Sequence, residues 1–457
     1  MAVKAVEMRK NTEIINRIRS CGDDGQTGHV LGNMLLLKAT EPDLVEESTM
    51  SYKKKFSGFI TKGMQRRYSS WYCFIVMLFC LTAPAFPEEI LIPGDPKLEE
   101  SFSELSKKGQ IEKEFHLYAT DGYQEMADGE LIYFWGFTHA KDFVDVGEIK
   151  TREERDKKLL PLKVPGDEIR LISGKNYIVV LHNAGFYEIE KHSGVHGVPH
   201  TIHFHGLDLI PTYDGVPNLP YTPVFPGEKY RYLLTMPEDV EGSYLGHCHV
   251  DTTNHLMAGM YFPVIVEKRP NEIYGYKFDR EYTLIMSEVD SEYMEMLRTE
   301  GNIRRGLDWK PNYFMLNGRI FMDNLSNPLS TVNDPKTRIV AYEGETVLIR
   351  LMAIGYNHIF AWHTHGFHGL IIGTDGRKLS YPYEKDTLLI GSGERYDILY
   401  KIPDLSAKRG CLSCNYGAGI SIAHDHNMMG MASQGIYPHG PQTFFDVRAK
   451  STKANDK

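Results

Sequence analysis

The sequence predicts an all-β protein. Runs such as Asn176-Tyr177-Ile178-Val179-Val180-Leu181, Lys229-Tyr230-Arg231-Tyr232-Leu233-Leu234 and Thr346-Val347-Leu348-Ile349-Arg350-Leu351 are rich in β-branched and aromatic residues over strand-like lengths. Turn formers punctuate them, as at Pro226-Gly227-Glu228 directly before the second run. Helical periodicity is scarce, and its best candidate, Ser291 to Glu300, falls on a connection.

Taken in order, residues 1–63 form a polar extension. Met64-Gln65-Arg66-Arg67 then starts a short basic segment, Trp71 to Leu81 is apolar, and Ala83-Pro84-Ala85 supplies a small-x-small site. Residues 64–85 thus have the anatomy of a secretory signal peptide, which predicts a periplasmic or secreted protein. If translation starts at Met64, residues 1–63 are not made. The alternative is a membrane anchor over residues 68–87, with Lys53, Lys54 and Lys55 on the cytoplasmic side. The apolar core is shorter than the roughly twenty residues a comfortable span requires. Residues 86–109 read as a linker and 449–457 as a polar tail.

Four His-x-His pairs follow: His203/His205, His247/His249, His363/His365 and His424/His426. Alternate residues of a strand share a face, so both imidazoles of a pair can reach one metal cluster while the middle residue faces away. In the second pair that middle residue is Cys248. Any one pair among 19 histidines is as readily a surface accident as a ligand pair, but four in similar contexts are not. His200 lies three residues before His203, and His255 and Met260 follow Cys248 on one stretch. One thiolate, two imidazoles and one thioether are the ligand set of a type 1 copper with a weak axial methionine.

These segments resemble the multicopper oxidases. His203-Phe204-His205-Gly206 with Asp214-Gly215-Val216-Pro217 resembles the family's first signature. Tyr313 to Arg319, Trp362-His363-Thr364-His365-Gly366 and Gly393-Glu394-Arg395-Tyr396-Asp397 resemble its last domain. The similarity runs over residues 110 to 448, and it implies cupredoxin-like Greek-key β-sandwiches, two of them at that length: 110–270 and 271–448. It further implies four coppers per subunit. Type 1 copper would take His200, Cys248, His255 and Met260, type 2 copper His203 and His363, and the type 3 pair His205, His247, His249, His365, His424 and His426. Asp214 and Asp251 match carboxylates that relay protons in relatives, although either is also an ordinary loop residue.

The departures are informative. Asp425 stands where three-domain laccases carry the type 1 cysteine, and Phe360 stands where a type 1 histidine belongs. The second domain therefore lacks a type 1 site, and electrons enter through the first alone. This resembles the two-domain members with type 1 copper in the amino-terminal domain, in which the trinuclear centre closes between subunits of a homotrimer. Met428, Met429 and Met431, and likewise Met286, Met294 and Met296, read as packing residues. The expected partners are dioxygen and an electron donor (a phenol, a metal ion or a small redox protein). The formal charge of −9 gives no electrostatic case for nucleic acid. Cys411 and Cys414 form a CxxC without a following histidine, which excludes c-type haem attachment and leaves a local disulfide or a metal clip. Two other functions stay open on these residues: a copper nitrite reductase, with one type 2 copper on three histidines, and a copper carrier without turnover.

Overall fold

The structure is a computed structural model that describes residues 96–450, apart from 186–187, 190–196, 218–222, 301–308 and 404–418. The polar extension, the signal-peptide segment, the alternative anchor 68–87, Cys411, Cys414 and most of the 449–457 tail lie outside the described residues. Among the described residues no helix is long and apolar enough to cross a membrane.

Strands dominate, as the alternating runs require. One four-stranded sheet orders Leu131–Thr138, Ile111–Glu125, Asn176–Asn183 and Lys229–Thr235; a second orders Ile169–Ile172, Tyr261–Glu267, Gly242–His247 and His203–His205. Their inward residues, among them Val179, Leu181, Phe204, Leu245, Phe262 and Val264, share one buried core. Each large apolar side chain so buried contributes roughly 1.5–3 kcal/mol.

The plan then repeats. A six-stranded sheet (Tyr313–Leu316, Arg280–Val289, Thr346–Ile354, Arg395–Lys401, Gly369–Thr374, Arg377–Lys385) accompanies a five-stranded one (Ile339–Tyr342, Thr443–Arg448, Gly419–Asp425, Phe360–Thr364, Thr387–Ile390). In both sandwiches the long first strand runs parallel to a later long one, Ile111–Glu125 beside Asn176–Asn183 and Arg280–Val289 beside Thr346–Ile354. The fold is all-β with cupredoxin-like sandwiches, and the helix expected at Ser291–Glu300 is present, but it lies within the second sandwich, between its strands Arg280–Val289 and Tyr313–Leu316, rather than on the connection between the domains. The linker reading of 86–109 needs correction. Pro96–Lys107 is a helix, and its Phe102 is buried against Tyr213, with the Arg231 guanidinium over the ring. An aromatic residue on a short amphipathic stretch is enough to dock it.

The two sandwiches are joined by a buried polar network. Asp397 accepts from Ser243 Oγ at 2.5 Å and from Tyr274 Oη at 3.1 Å, while Arg350 sits between Asp397 and Glu281 at 3.4 and 3.1 Å. Fully partnered buried charges of this kind fix one docking geometry, because every alternative strands a charge in low dielectric.

Candidate metal centre

His203–His205 is a three-residue strand paired antiparallel with Gly242–His247, and the register sets His203 directly opposite His247. Cross-strand neighbours and alternate residues share a face, so His203, His205 and His247 point together. Their ligand nitrogens lie within 4.8 Å of one another, and the His249 ring is 5.4 Å from that of His203. The second sandwich repeats the device: His363 pairs with His424, and nitrogens of His363, His365 and His424 converge within 4.8 Å. His365 Nε2 and His424 Nε2 are 3.1 Å apart, and the His426 ring is 5.2 Å from His363.

The strand argument holds in full only for His203/His205. The other strands end at His247, Thr364 and Asp425, so His249, His365 and His426 lie beyond the ladder. Single bonds keep them in place: His249 N to Thr201 Oγ1 at 3.3 Å, His365 N to the Ile422 carbonyl at 3.0 Å, and His426 N to the Ala361 carbonyl at 2.7 Å.

Four of the rings reveal their tautomer. Nδ1 of His203, His247, His363 and His424 faces the backbone carbonyls of Asp214, Cys248, Asp386 and Asp425 at 2.7, 3.0, 3.0 and 2.6 Å. A carbonyl only accepts, so Nδ1 carries the proton and Nε2 presents a lone pair. Metal-ligating histidines are commonly held this way. Burial, the largest cause, lowers the pKa of His247 to about 3 and of His205 to about 4, and it also lowers His249, His365 and His424, so these imidazoles stay neutral.

Behind the His203/His247 face lies a second group. Past His247 the side chain of Cys248 turns the other way, and its Sγ is 3.1 Å from His255 Nδ1 and 3.6 Å from His200 Nδ1. All three are buried, and so is Met260, whose carbonyl accepts from Cys248 N at 3.1 Å. His255 rides on the helix Thr252–Met257, which Asp251 caps; Asp251 Oδ2 accepts from Asn254 Nδ2 at 2.7 Å. Burial pushes the Cys248 thiol up to about 12, His255 down to about 4 and His200 well below its usual value. A neutral thiol beside two neutral imidazoles suits a soft metal ion that displaces the thiol proton.

Asp214 ends the short helix Pro211–Asp214, with its Oδ1 3.2 Å from His203 Nδ1. Gly215, at φ 77°, follows because a Cβ there would sit 1.9 Å from the Ile202 carbonyl oxygen. That close approach is the reason for glycine in the Asp-Gly-Val-Pro motif.

In the second sandwich the spot corresponding to Cys248 holds a buried hydrogen-bonded carboxylate–imidazole pair. Asp425 Oδ2 meets His358 Nε2 at 2.6 Å, both side chains buried, and Phe360 packs on the His358 ring with centroids 4.6 Å apart. Among the described residues no thiol reaches this place. His358 escaped the sequence reading because it lies outside the His-x-His spacing. The packing role expected of Met428 and Met429 does not hold, since they are 78% and 65% exposed, whereas Met286 and Met294 are fully buried as expected.

The two quartets are separate within the chain. His363 pairs with Thr387 at one end of the strand Thr387–Ile390, whereas His205 lies against Gly393, in the turn beyond its other end. At about 3.3 Å per residue the strand alone spans roughly 13 Å.

Two multicopper oxidase sequence profiles match residues 149–271 and 286–434, together more than half of the chain. The multicopper oxidase MmcO of Mycobacterium tuberculosis is 26% identical over 266 residues, covering 52% of this chain and 46% of that protein. The chain spans less than half the length of such curated relatives. Among solved structures, the blue copper oxidase of Nitrosomonas europaea aligns with TM-score 0.55 and 23% identity over 74% of this chain and 86% of that one. A copper nitrite reductase of the same organism aligns with TM-score 0.50 and 21% identity over 74% and 94%. These two likenesses show a shared fold. From its sequence profiles, the chain belongs to the multicopper oxidase family.

Proposed function

We propose that the protein is a copper-dependent oxidase that accepts single electrons from a reductant at a type 1 site and reduces dioxygen to water at a trinuclear centre. The observation that carries this reading is the pair of imidazole quartets, with Nδ1 of four rings committed to carbonyls and Nε2 left for metal. Copper bound there supplies one-electron storage at the Cys248 site and multi-electron delivery to dioxygen at the quartets.

The residues divide the work. His200, Cys248, His255 and Met260 are the donor set for the electron input. Cys248 leads by its own backbone to His247 and His249, the shortest covalent route from that input to the first quartet. Asp214, partly exposed and beside His203, is suited to take protons from solvent on Oδ1 and pass them to reduced oxygen species. Asp251 acts chiefly by holding the His255 helix, with any proton relay secondary to that.

Each quartet is half a centre, and the halves sit at different ends of one strand. A second copy of the chain therefore completes the site; a heterologous interface that closes gives a ring, and the resemblance to two-domain multicopper oxidases makes that ring a homotrimer. The signal-like segment 64–85 supports export to the periplasm or beyond.

The shared fold keeps a nitrite reductase in view as the second reading. That chemistry needs one metal on three imidazoles, and the chain carries eight, four in each quartet. Copper content and gas consumption decide: four coppers per chain with oxygen uptake on a panel of phenols, ferrous and cuprous ions support the oxidase. Two coppers with nitrite consumption would replace it, and bound copper with neither activity would make the protein a carrier.

A further inference from the structure

The antiparallel register between Ile111–Glu125 and Leu131–Thr138 sets Tyr123 opposite Tyr133 and Asp121 opposite Trp135. Alternation places all four on one face of the sheet, where they form a continuous line. The Trp135 ring lies edge-on to His255 with centroids 5.1 Å apart, and its backbone N is bound to the Ala258 carbonyl in the loop between His255 and Met260. Trp135 Nε1 donates to Tyr133 Oη at 2.8 Å, and Tyr133 Oη donates to Asp121 Oδ2 at 2.8 Å. The Tyr133 and Tyr123 rings are 5.6 Å apart. Tyr123 is 49% exposed and lines a groove of about 670 Å³, while Trp135 and Tyr133 are almost fully buried. Redox-capable rings thus run without a gap from solvent to the wall of the Cys248 site.

We propose that Tyr123, Tyr133 and Trp135 are a one-electron relay between the groove and the type 1 site, with Asp121 as the proton acceptor of the Tyr133 phenol. The proposal rests on the copper reading of His200, Cys248 and His255. One electron moves from Trp135 to the oxidised site, and one from Tyr133 replaces it. As Tyr133 loses its electron, its phenolic proton passes to Asp121 Oδ2. A one-electron donor in the groove returns an electron through Tyr123, and the proton goes back. The net transfer is one electron from donor to site with no net proton.

Burial and the neighbouring Asp121 carboxylate hold the Tyr133 phenol far above its ordinary pKa, so it stays protonated until oxidised. Asp121 is buried and paired with Arg155 Nη1 at 2.5 Å, so its carboxylate keeps its position next to the phenol. Asp121 is also anchored by Arg152 Nη1 at 3.7 Å and by Glu188 N on Oδ2 at 2.5 Å, so the carboxylate stays put without Tyr133, and a phenylalanine at 133 would fill the same space while removing only the phenol that Oδ2 accepts from.

The test uses the copper-loaded protein with its type 1 site reduced, and a ruthenium(III) polypyridyl oxidant generated in solution by a laser flash. Return of the blue absorbance reports hole transfer inward. Tyr123→Phe and Tyr133→Phe should each slow that return at least tenfold, while the final absorbance and its electron paramagnetic resonance signal stay as in the parent. Return within twofold of the parent in both variants, with the blue signal intact, overturns the relay.

The same flash on metal-free protein gives a second readout. A tyrosyl radical should form at Tyr133, more slowly in deuterated water, and Tyr133→Phe should remove it. An unchanged radical signal in Tyr133→Phe overturns the proposal. If copper loading produces no blue absorbance, the copper reading fails instead, and the metal-free measurement still decides the relay.

Discussion

Replacing His358 by leucine tests how the second sandwich holds its quartet without a type 1 metal. Asp425 Oδ2 would lose a partner at 2.6 Å, in a place where both side chains are buried. Water has little room to substitute, because a Cβ on Gly430 would already lie 1.9 Å from that oxygen. Oδ1 keeps its bonds from Ala361 N at 2.7 Å and Asn427 N at 3.1 Å, so the carboxylate stays in place but is half-satisfied. Breaking a buried pair from one side costs roughly 3–5 kcal/mol. For a folding unit of some 150–250 residues this lowers the melting midpoint by roughly 6–20 °C.

The assay is thermal unfolding of the metal-free protein, followed by copper content. Asp425 stands between His424 and His426, so copper at the second quartet should fall, while the blue signal from the Cys248 site remains. The double variant with Asp425→Asn should recover much of the midpoint, since no charge is then left unpaired. A loss below about 1 kcal/mol, or a double variant no more stable than the single one, would refute the argument.

Cys248→Ser should abolish the blue absorbance and steady-state oxygen uptake while the quartets still bind copper; full activity in this variant would rule out the Cys248 route. Gly215→Ala should destabilise the protein by about 2–5 kcal/mol, adding a left-handed backbone penalty to overlap with the Ile202 carbonyl, and should slow oxygen reduction by displacing Asp214. A melting midpoint within a degree of the parent would contradict the close approach of Gly215 to the Ile202 carbonyl. Metal-free protein should lose stability on acidification. His247 and His255 have folded pKa values of about 3 and about 4 against roughly 6.5 unfolded, so the unfolded chain binds protons that the folded chain refuses. Stability therefore declines as pH falls from about 6.5 toward 4, at up to ~1.4 kcal/mol per unit per group. A flat midpoint across that window would show these rings to be solvated.

Much of the candidate metal centre, as a gathering of donor side chains, was legible because its signals are local. The His-x-His spacing and the Cys248-to-Met260 stretch depend on strand alternation and one short loop, and the chain encodes both within a dozen residues. Even there the period-2 argument overreached: three pairs leave the ladder at their second histidine, and each of these is held by one bond from its backbone N, to a carbonyl for His365 and His426 and to the Thr201 hydroxyl for His249. Met428 and Met429 show the converse failure, since apolar character by itself does not say which face of a loop is covered.

The sequence by itself determined the donor inventory: which side chains carry soft and imidazole donors, that the first sandwich holds Cys248 between paired histidines, and that the second has Asp425 and Phe360 in the matching places. The tertiary structure decided what fills that second place, how far apart the two quartets lie, and that Trp135 and Tyr133 stand against the Cys248 site. These are matters of register and packing between residues distant in sequence. His358 meets Asp425 across 67 positions, and the aromatic line exists only because Ile111–Glu125 and Leu131–Thr138 pair in one register rather than the next.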